Sequence, residues 1–470
     1  MKITSFLKKG LLSLCIVPLS GNAQTASYLR LPSLFTDHIV LQQQSRVAIW
    51  GWAQAATQVR LVGSWNVKDT IQAVANDYGK WKAEIPTGKY GGPYTLQVIG
   101  HANRIELKDV MLGEVWLCSG QSNMEWSINN GVDNKKEEIA AAFYPQVRYF
   151  SLPKQGSEYP QDDVQAKWEI CTPDVMRRRS ALAYFFAEKL HKDLKVPVGV
   201  IVSAWGGTPA EVWLPAEKVR QNNVLKKAMP NNPRPWWPVT PGRLYNSMIH
   251  PLQPYTVKGA LWYQGESNRE RPATYSVLMQ ELVKSWREGF CQPLPFYIVQ
   301  IAPYRYGAND NGPALVREAQ YDVTQKLADT HIIGTNDIGD LNNIHPSKKR
   351  QVGERSARLT MKYEYGRTLE GVDNPVYQSM CIDKKKVILF FRNIAGQWQC
   401  PDKEIVGFSI AGNDRRFVPA KVKIKGNTLI LTSSEVKAPV AVRYCFDEAG
   451  VGNVFSPQGL PLLPFRTDTW

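Results

Sequence analysis

Ser122 stands where a serine hydroxyl can act as a nucleophile. It follows an apolar run, Val110, Met111, Leu112, Val115, Trp116, Leu117 and Cys118, and then the short polar link Ser119-Gly120-Gln121. A run of that length and composition is expected to be a buried strand, and groups just beyond the C-terminal end of such a strand face the ligand crevice of an α/β sheet. Gly120 permits a sharp turn that exposes the hydroxyl and aims the serine's own N–H at a bound carbonyl, two requirements of acyl transfer to serine. The competing reading is an N-cap serine at the start of a helix.

Other groups are expected at the same edge. His345 lies in Asp340-Leu341-Asn342-Asn343-Ile344-His345-Pro346-Ser347, and Pro346 keeps it out of helical conformation and starts a helix after it. Imidazole is the usual base for a serine nucleophile. Gly206-Gly207-Thr208 offers backbone N–H groups that can approach a ligand closely, and Gln264-Gly265-Glu266-Ser267-Asn268 offers side-chain amides. Each of these reads equally as a plain turn or cap when taken singly. Gly407-Phe408-Ser409-Ile410-Ala411 imitates a nucleophile elbow, but its last position is Ala, its surroundings read as all-β and no histidine follows it. The six histidines, at 38, 101, 191, 250, 331 and 345, form no zinc-binding pattern, and no metal is expected.

These residues require a parallel sheet to bring them together. Apolar runs at 112–118, 147–152, 198–205, 257–264, 295–303 and 331–337 alternate with amphipathic stretches at 180–194, 275–290, 313–327 and 348–366. Such alternation predicts a mainly parallel sheet covered by helices on both faces, over residues 109–366. Short alternating segments before it, over 24–108, predict an antiparallel β-sandwich module, and similar segments over 367–470 predict a second β module. The irregular, proline-rich segment 208–245 carries Pro235-Trp236-Trp237-Pro238, where adjacent indoles make a sugar platform or pack between domains.

The chain has 470 residues with 43% apolar content and a formal charge of +15. That length exceeds a single core. Residues 1–23 read as a secretory signal, with Lys2, Lys8 and Lys9 before Leu11 to Leu19 and cleavage near Ala23, so a periplasmic or secreted protein is expected. Losing those three lysines takes the charge from +15 to +12. In an exported chain this concerns anionic glycans rather than nucleic acid. No later stretch is long and apolar enough for a membrane span, and the sequence carries no signal for an oligomeric state. Six cysteines remain after the leader, at 118, 171, 291, 381, 400 and 445, and one bridge among Cys381, Cys400 and Cys445 is expected to be possible.

The blocks GQSNM (120–124), GGTPAEVW (206–213), WYQGESN (262–268) and IHP (344–346) resemble, in order, those of SGNH (GDSL-type) hydrolases, in the sialate O-acetylesterase branch. FTDHIVLQQ near the mature N-terminus and GLPLLPFRTD near the end extend the resemblance over nearly the whole mature chain. The resemblance implies an SGNH-type α/β domain flanked by β modules, Ser122 as nucleophile and His345 as base. It implies an oxyanion hole from the Ser122 N–H, Gly206 or Gly207, and an amide of Gln264 or Asn268. Trp126, Glu266, Trp236 and Trp237 are the expected substrate contacts. Two departures stand out: Ser267 replaces the Asn expected in GxND, and Asn342 replaces the Asp expected in DxxH. The histidine is then oriented by a backbone carbonyl, by Asp340 or by Asp337. The implied activity is cofactor-free removal of O-acetyl groups from sugars, sialic acid first, with acetylated xylan or another plant glycan as alternative. A non-catalytic glycan-binding protein is the reading from another class.

Overall fold

The computed structural model describes residues 28–101, 103–229, 236–307 and 311–470, so the leader read at 1–23 lies outside the described residues. The expected sheet forms around one long strand, β1 (Arg104–Gly120). With β2 (Tyr144–Ser151), β3 (Trp168–Cys171), β4 (Val198–Ala204), β5 (Gly259–Tyr263), β6 (Phe296–Val299) and β7 (Thr330–Ile333), the spatial order is β7-β6-β5-β1-β4-β2-β3. Neighbours run parallel except β2 and β3 at one edge. Side chains of β1 alternate between two cores, Val115 and Leu117 on one face and Trp116 and Cys118 on the other. A strand buried on both faces has no polar positions, which is why it appears in the sequence as a continuous apolar run.

The helices follow the amphipathic stretches. A four-residue helix, α1 (Ser122–Glu125), follows β1 directly, and α2 (Ala181–Leu194), α3 (Tyr275–Phe290), α4 (Gly312–Lys326) and α5 (Lys349–Tyr365) are the covering helices. Ser180 caps α2 by accepting the Ala183 N–H, and α5 ends on Gly366 with φ +59°, the left-handed stop that glycine supplies without strain. Phe185 and Phe186 of α2 and Leu359 of α5 pack on the Trp116 face; Leu278 and Trp286 of α3 and Val316 of α4 pack on the other.

The N-terminal strands are not insulated from this domain. Gly91–Ile99 pairs antiparallel with the first half of β1, and Gln58–Gly63 and Thr70–Val74 extend that edge, while Arg46–Trp52 pairs with Lys80–Pro86. Val47, Ile49, Val59 and Leu96 share one core with Trp213, Trp262 and Leu278. The 108/109 division drawn from composition falls inside β1, at Asp109, whose φ of +51° bends the strand. The C-terminal segment forms two four-stranded sheets, one from Val376–Asp383, Lys386–Arg392, Thr428–Thr432 and Lys421–Lys425, the other from Val418–Pro419, Phe408–Ala411, Ala441–Tyr444 and Phe465–Arg466. Val387, Leu389, Phe408, Ile410 and Val442 fill the space between them. The expected bridge among Cys381, Cys400 and Cys445 is absent, because Cys445 is buried in that filling while Cys381 is exposed on the surface.

At the bend in β1, Asp109 accepts from Arg148 Nη2 at 2.8 Å and lies 2.7 Å from His38 Nδ1. Arg148 is 2% exposed, and its Nε and Nη1 have no partner among the described residues, so Asp109 is the group that offsets its charge. Removing one member of a buried pair costs about 3–5 kcal/mol because the other charge is left behind. Asp109→Ala is expected to destabilise the protein by about 3 kcal/mol in urea denaturation, with Asp109→Asn in between; a loss below about 1 kcal/mol refutes this account.

Candidate active site

The end of β1 is built for a close approach. A Cβ on Gly120, φ +139°, would lie 2.1 Å from the Tyr263 carbonyl oxygen at the end of β5. Only glycine fits there. The Gln121 N–H then donates to that same carbonyl at 3.0 Å, and the chain turns into α1 with Ser122 as its first residue. A first-turn N–H has no intrahelical acceptor, and no acceptor is assigned to the Ser122 N–H among the described residues.

His345 arrives from the far side of the sheet, on the loop between β7 and α5. Two side chains fold that loop: Asp340 Oδ1 accepts the Asn342 N–H and Asn343 Oδ1 accepts the His345 N–H, each at 2.9 Å. Such Asx turns fix a loop without regular structure. The imidazole Nε2 lies 2.9 Å from Ser122 Oγ, and the ring stacks on Trp126 at 3.8 Å between centroids and 13° between planes. Burial, and then the positive charge of Lys349, push the His345 pKa down to about 4. Both causes favour a neutral ring at rest.

The orienting groups considered from sequence are placed elsewhere. Asp337 is held by Arg355 through two bonds of 2.8 and 2.6 Å, a fork that anchors the loop to α5. Asp340 and Asn342 are exposed and serve the turn. Among the described residues no carboxylate lies within 4.0 Å of a His345 ring nitrogen, and no backbone carbonyl accepts from that ring. The Trp126 indole is what the ring rests on.

The two expected amide donors are bonded to the protein to different extents. Gln264 Nε2 donates to Asn268 Oδ1 at 2.7 Å and to the Thr208 carbonyl at 3.2 Å, while its Oε1 accepts from Tyr275. Asn268 Nδ2 donates to Glu211 at 2.9 Å and its Oδ1 also accepts the Ala210 N–H. Both side chains are buried; Gln264 has both amide hydrogens committed, whereas Asn268 Nδ2 has one of its two bonded to Glu211. Gly206 is also corrected: its N–H donates to Glu125 Oε2 at 2.7 Å, because Glu125 lies three residues after Ser122 on the same face of α1. Gly206 nonetheless abuts the serine, since a Cβ on it would lie 3.1 Å from Ser122 Cβ. Gly207, φ +77°, has no assigned acceptor for its N–H, and a Cβ there would strike the Trp237 ring at 2.8 Å.

The expected substrate contacts divide. Trp237 covers Gly207 and so borders the crevice, and Trp236, 69% exposed, lies beside it at 6.5 Å between ring centroids. Trp126 instead gives its face to His345. Glu266 is 3% exposed and accepts from Asn123 Nδ2 at 2.6 Å, so it is an internal residue rather than a substrate contact. Two residues that sequence reasoning passed over stand beside it. Asn123, within the GQSNM block, also donates to the Ile344 carbonyl at 3.0 Å, and Lys349 Nζ donates to Asn123 Oδ1 at 2.5 Å. The available signal was the spacing of Lys349, four residues after His345 at the start of a helix.

Comparison with known proteins agrees with this geometry. Residues 112–362 match the family model described as a carbohydrate esterase, sialic acid-specific acetylesterase. The sialate O-acetylesterase of Homo sapiens is 28% identical over 461 residues, covering 89% of this chain and 87% of that protein. The Mus musculus enzyme is 30% identical over 406 residues, 73% of this chain and 75% of that one. A crystal structure of a carbohydrate acetylesterase from Xanthomonas citri superposes with a TM-score of 0.86 at 35% identity, over 94% of this chain and all of that one. A serine–histidine contact at the strand ends of an SGNH-type sheet and this extent of likeness lead to one assignment: the chain belongs to the sialic acid-specific acetylesterase family of carbohydrate esterases.

Proposed function

We propose that the protein is an exported serine esterase that removes O-acetyl groups from sugars, sialic acid first, through an acyl-serine intermediate. The observation that carries the reading is the 2.9 Å contact between Ser122 Oγ and His345 Nε2 at the mouth of β1. In the first half-reaction Ser122 Oγ attacks the acetyl carbon as His345 Nε2 takes its proton. The tetrahedral oxyanion is received by the N–H groups of Ser122 and Gly207, neither of which has an acceptor among the described residues. Collapse breaks the bond to the sugar oxygen, which leaves with the proton from His345. Water then attacks the acetyl-serine by the same proton path and acetate departs. Trp237 and Trp236 give the sugar an apolar wall above Gly207. An exported location rests on the leader read at 1–23. No helix among the described residues is long and apolar enough to cross a membrane.

Sialic acid is favoured by the family and by the basic balance of the mature chain. A neutral acetylated plant glycan is the second reading, favoured by the 35% likeness to a bacterial protein described only as a carbohydrate acetylesterase. Acetate release from O-acetylated sialic acid, measured beside release from acetylated xylan, separates them; a preference for xylan of about tenfold or more in kcat/KM rejects the sialate reading.

Ser122→Ala and His345→Ala are each expected to lose at least about 10³-fold in kcat on a chromogenic acetate ester while circular dichroism stays unchanged. Asp340→Asn and Asn342→Ala are expected to lose less than about tenfold, since neither side chain reaches the imidazole. Near-full turnover by the serine variant overturns the mechanism.

The pH profile is a separate test. His345 must be neutral to accept the serine proton, and its pKa is lowered, so the active form persists into acid and is lost as pH falls through about 4. The acid limb of kcat/KM is therefore expected near pH 4 rather than near the ordinary histidine value of about 6.5. A limb at the ordinary value contradicts the geometry.

A further inference from the structure

Asn123 follows the serine in sequence but is wholly buried. Its amide nitrogen donates to Glu266 and to the carbonyl of Ile344, the residue before His345, and its oxygen accepts from Lys349. One side chain thus joins α1, the segment after β5, the His345 loop and the first turn of α5. Lys349 is 1% exposed, and no ion pair links it directly to Glu266 or to any other carboxylate among the described residues. An apolar side chain of similar volume would hold this junction more cheaply than a buried cation, so stability alone does not account for the lysine.

We propose that Asn123 and Lys349, with Glu266, are the positioning residues of this site, holding the serine turn and the histidine loop at fixed separation in place of a carboxylate on the imidazole. The inference rests on the Ser122–His345 reading above and adds how that pair is held. The Asn123–Ile344 bond sets the height of the loop next to His345, and the Trp126 stack sets the plane of the ring. Lys349 has a second effect, through space: its charge disfavours a proton on His345. The groups facing Lys349 are Asn123 from α1, Glu266 after β5, the Tyr263 ring of β5 at 5.6 Å and His345 itself. Glu125 pairs with Lys154, and Arg350 pairs with Glu138, Glu188 and Glu354, with Lys192 also on Glu188, so these charges have partners of their own. Burial lowers the Lys349 pKa to about 7, and the lysine is therefore fully charged in the acid range where His345 titrates. Its removal is felt there.

The test compares Lys349→Met, Lys349→Gln and Asn123→Ala in the full chain, with Ser122→Ala alongside, using a chromogenic acetate ester. Lys349→Met is expected to lower kcat at least about tenfold with KM within about threefold, and to move the acid limb of kcat/KM upward by at least about half a pH unit. Lys349→Gln keeps an N–H donor for Asn123 without the charge; it is expected to recover most of kcat while retaining the moved limb. Asn123→Ala is expected to lose about 10²-fold in kcat with little change in KM. A residue with a packing role alone does not shift the limb. An acid limb unmoved in folded Lys349→Met, or in Lys349→Gln if the methionine variant does not fold, overturns the proposal, as does turnover within about threefold for folded Asn123→Ala. Loss of the underlying reading is distinguished by the serine control, whose near-full turnover would remove the catalytic pair itself.

Discussion

The second half of β1 is enclosed on both faces and both edges, and that enclosure governs the rest of the molecule. A strand so placed must satisfy its N–H and C=O groups along two ladders, with β4 and β5. The registers Ala204 to Gly120 and Tyr263 to Gly120 bring all three strands to an end in one row. The segments 121–126, 205–208 and 264–268 therefore leave the sheet at the same height and meet over one crevice. Gly120 makes the row possible, since any side chain there would meet the Tyr263 carbonyl.

Much of this was legible from apolar spacing. Buried parallel strands are short and uniformly apolar, and their covering helices repeat at a different period, so the strands at 112–118 and 198–205 and the helices at 180–194 and 275–290 appear within a few residues of where the sequence reading put them. Ser122 and His345 stand out in the sequence because each lies near a residue of distinctive backbone, the permissive Gly120 two before the serine and the φ-locked Pro346 after the histidine. The boundary at 108/109 marks a change of composition but not a break in the strand. Composition reports which side chains are exposed, and β1 changes its surroundings midway while its hydrogen bonding continues.

The amides were misjudged for a physical reason. Residue type gives the number of donors at a position but not the partners those donors find. Gln264, Asn268 and Glu211 bond to one another, and Asn123 bonds to both Glu266 and Lys349, each lying at the crevice edge in sequence and beneath its floor in space. Polar groups below the floor of a site must be paired with one another, since leaving one unpaired in a buried position costs about 1–3 kcal/mol. Lys349 was hidden in the same way. Read along α5, it belongs to a basic stretch that looks solvated, and only the inward turn at the helix start buries it.

The stack of His345 on Trp126 has a bearing on charge as well as on shape. On the proposed mechanism the imidazole takes the serine proton and becomes a cation lying flat on an indole face, 3.8 Å away. The electron-rich face of tryptophan attracts such a cation by about 0.5–2 kcal/mol, more as water is excluded. An ordinary carboxylate neighbour would favour the proton at all times and fill its own place with fixed negative charge. An indole attracts the imidazolium through its quadrupole and adds no net charge to the crevice. Trp126 is therefore placed to stabilise a transient cation on that ring without adding fixed negative charge beside it.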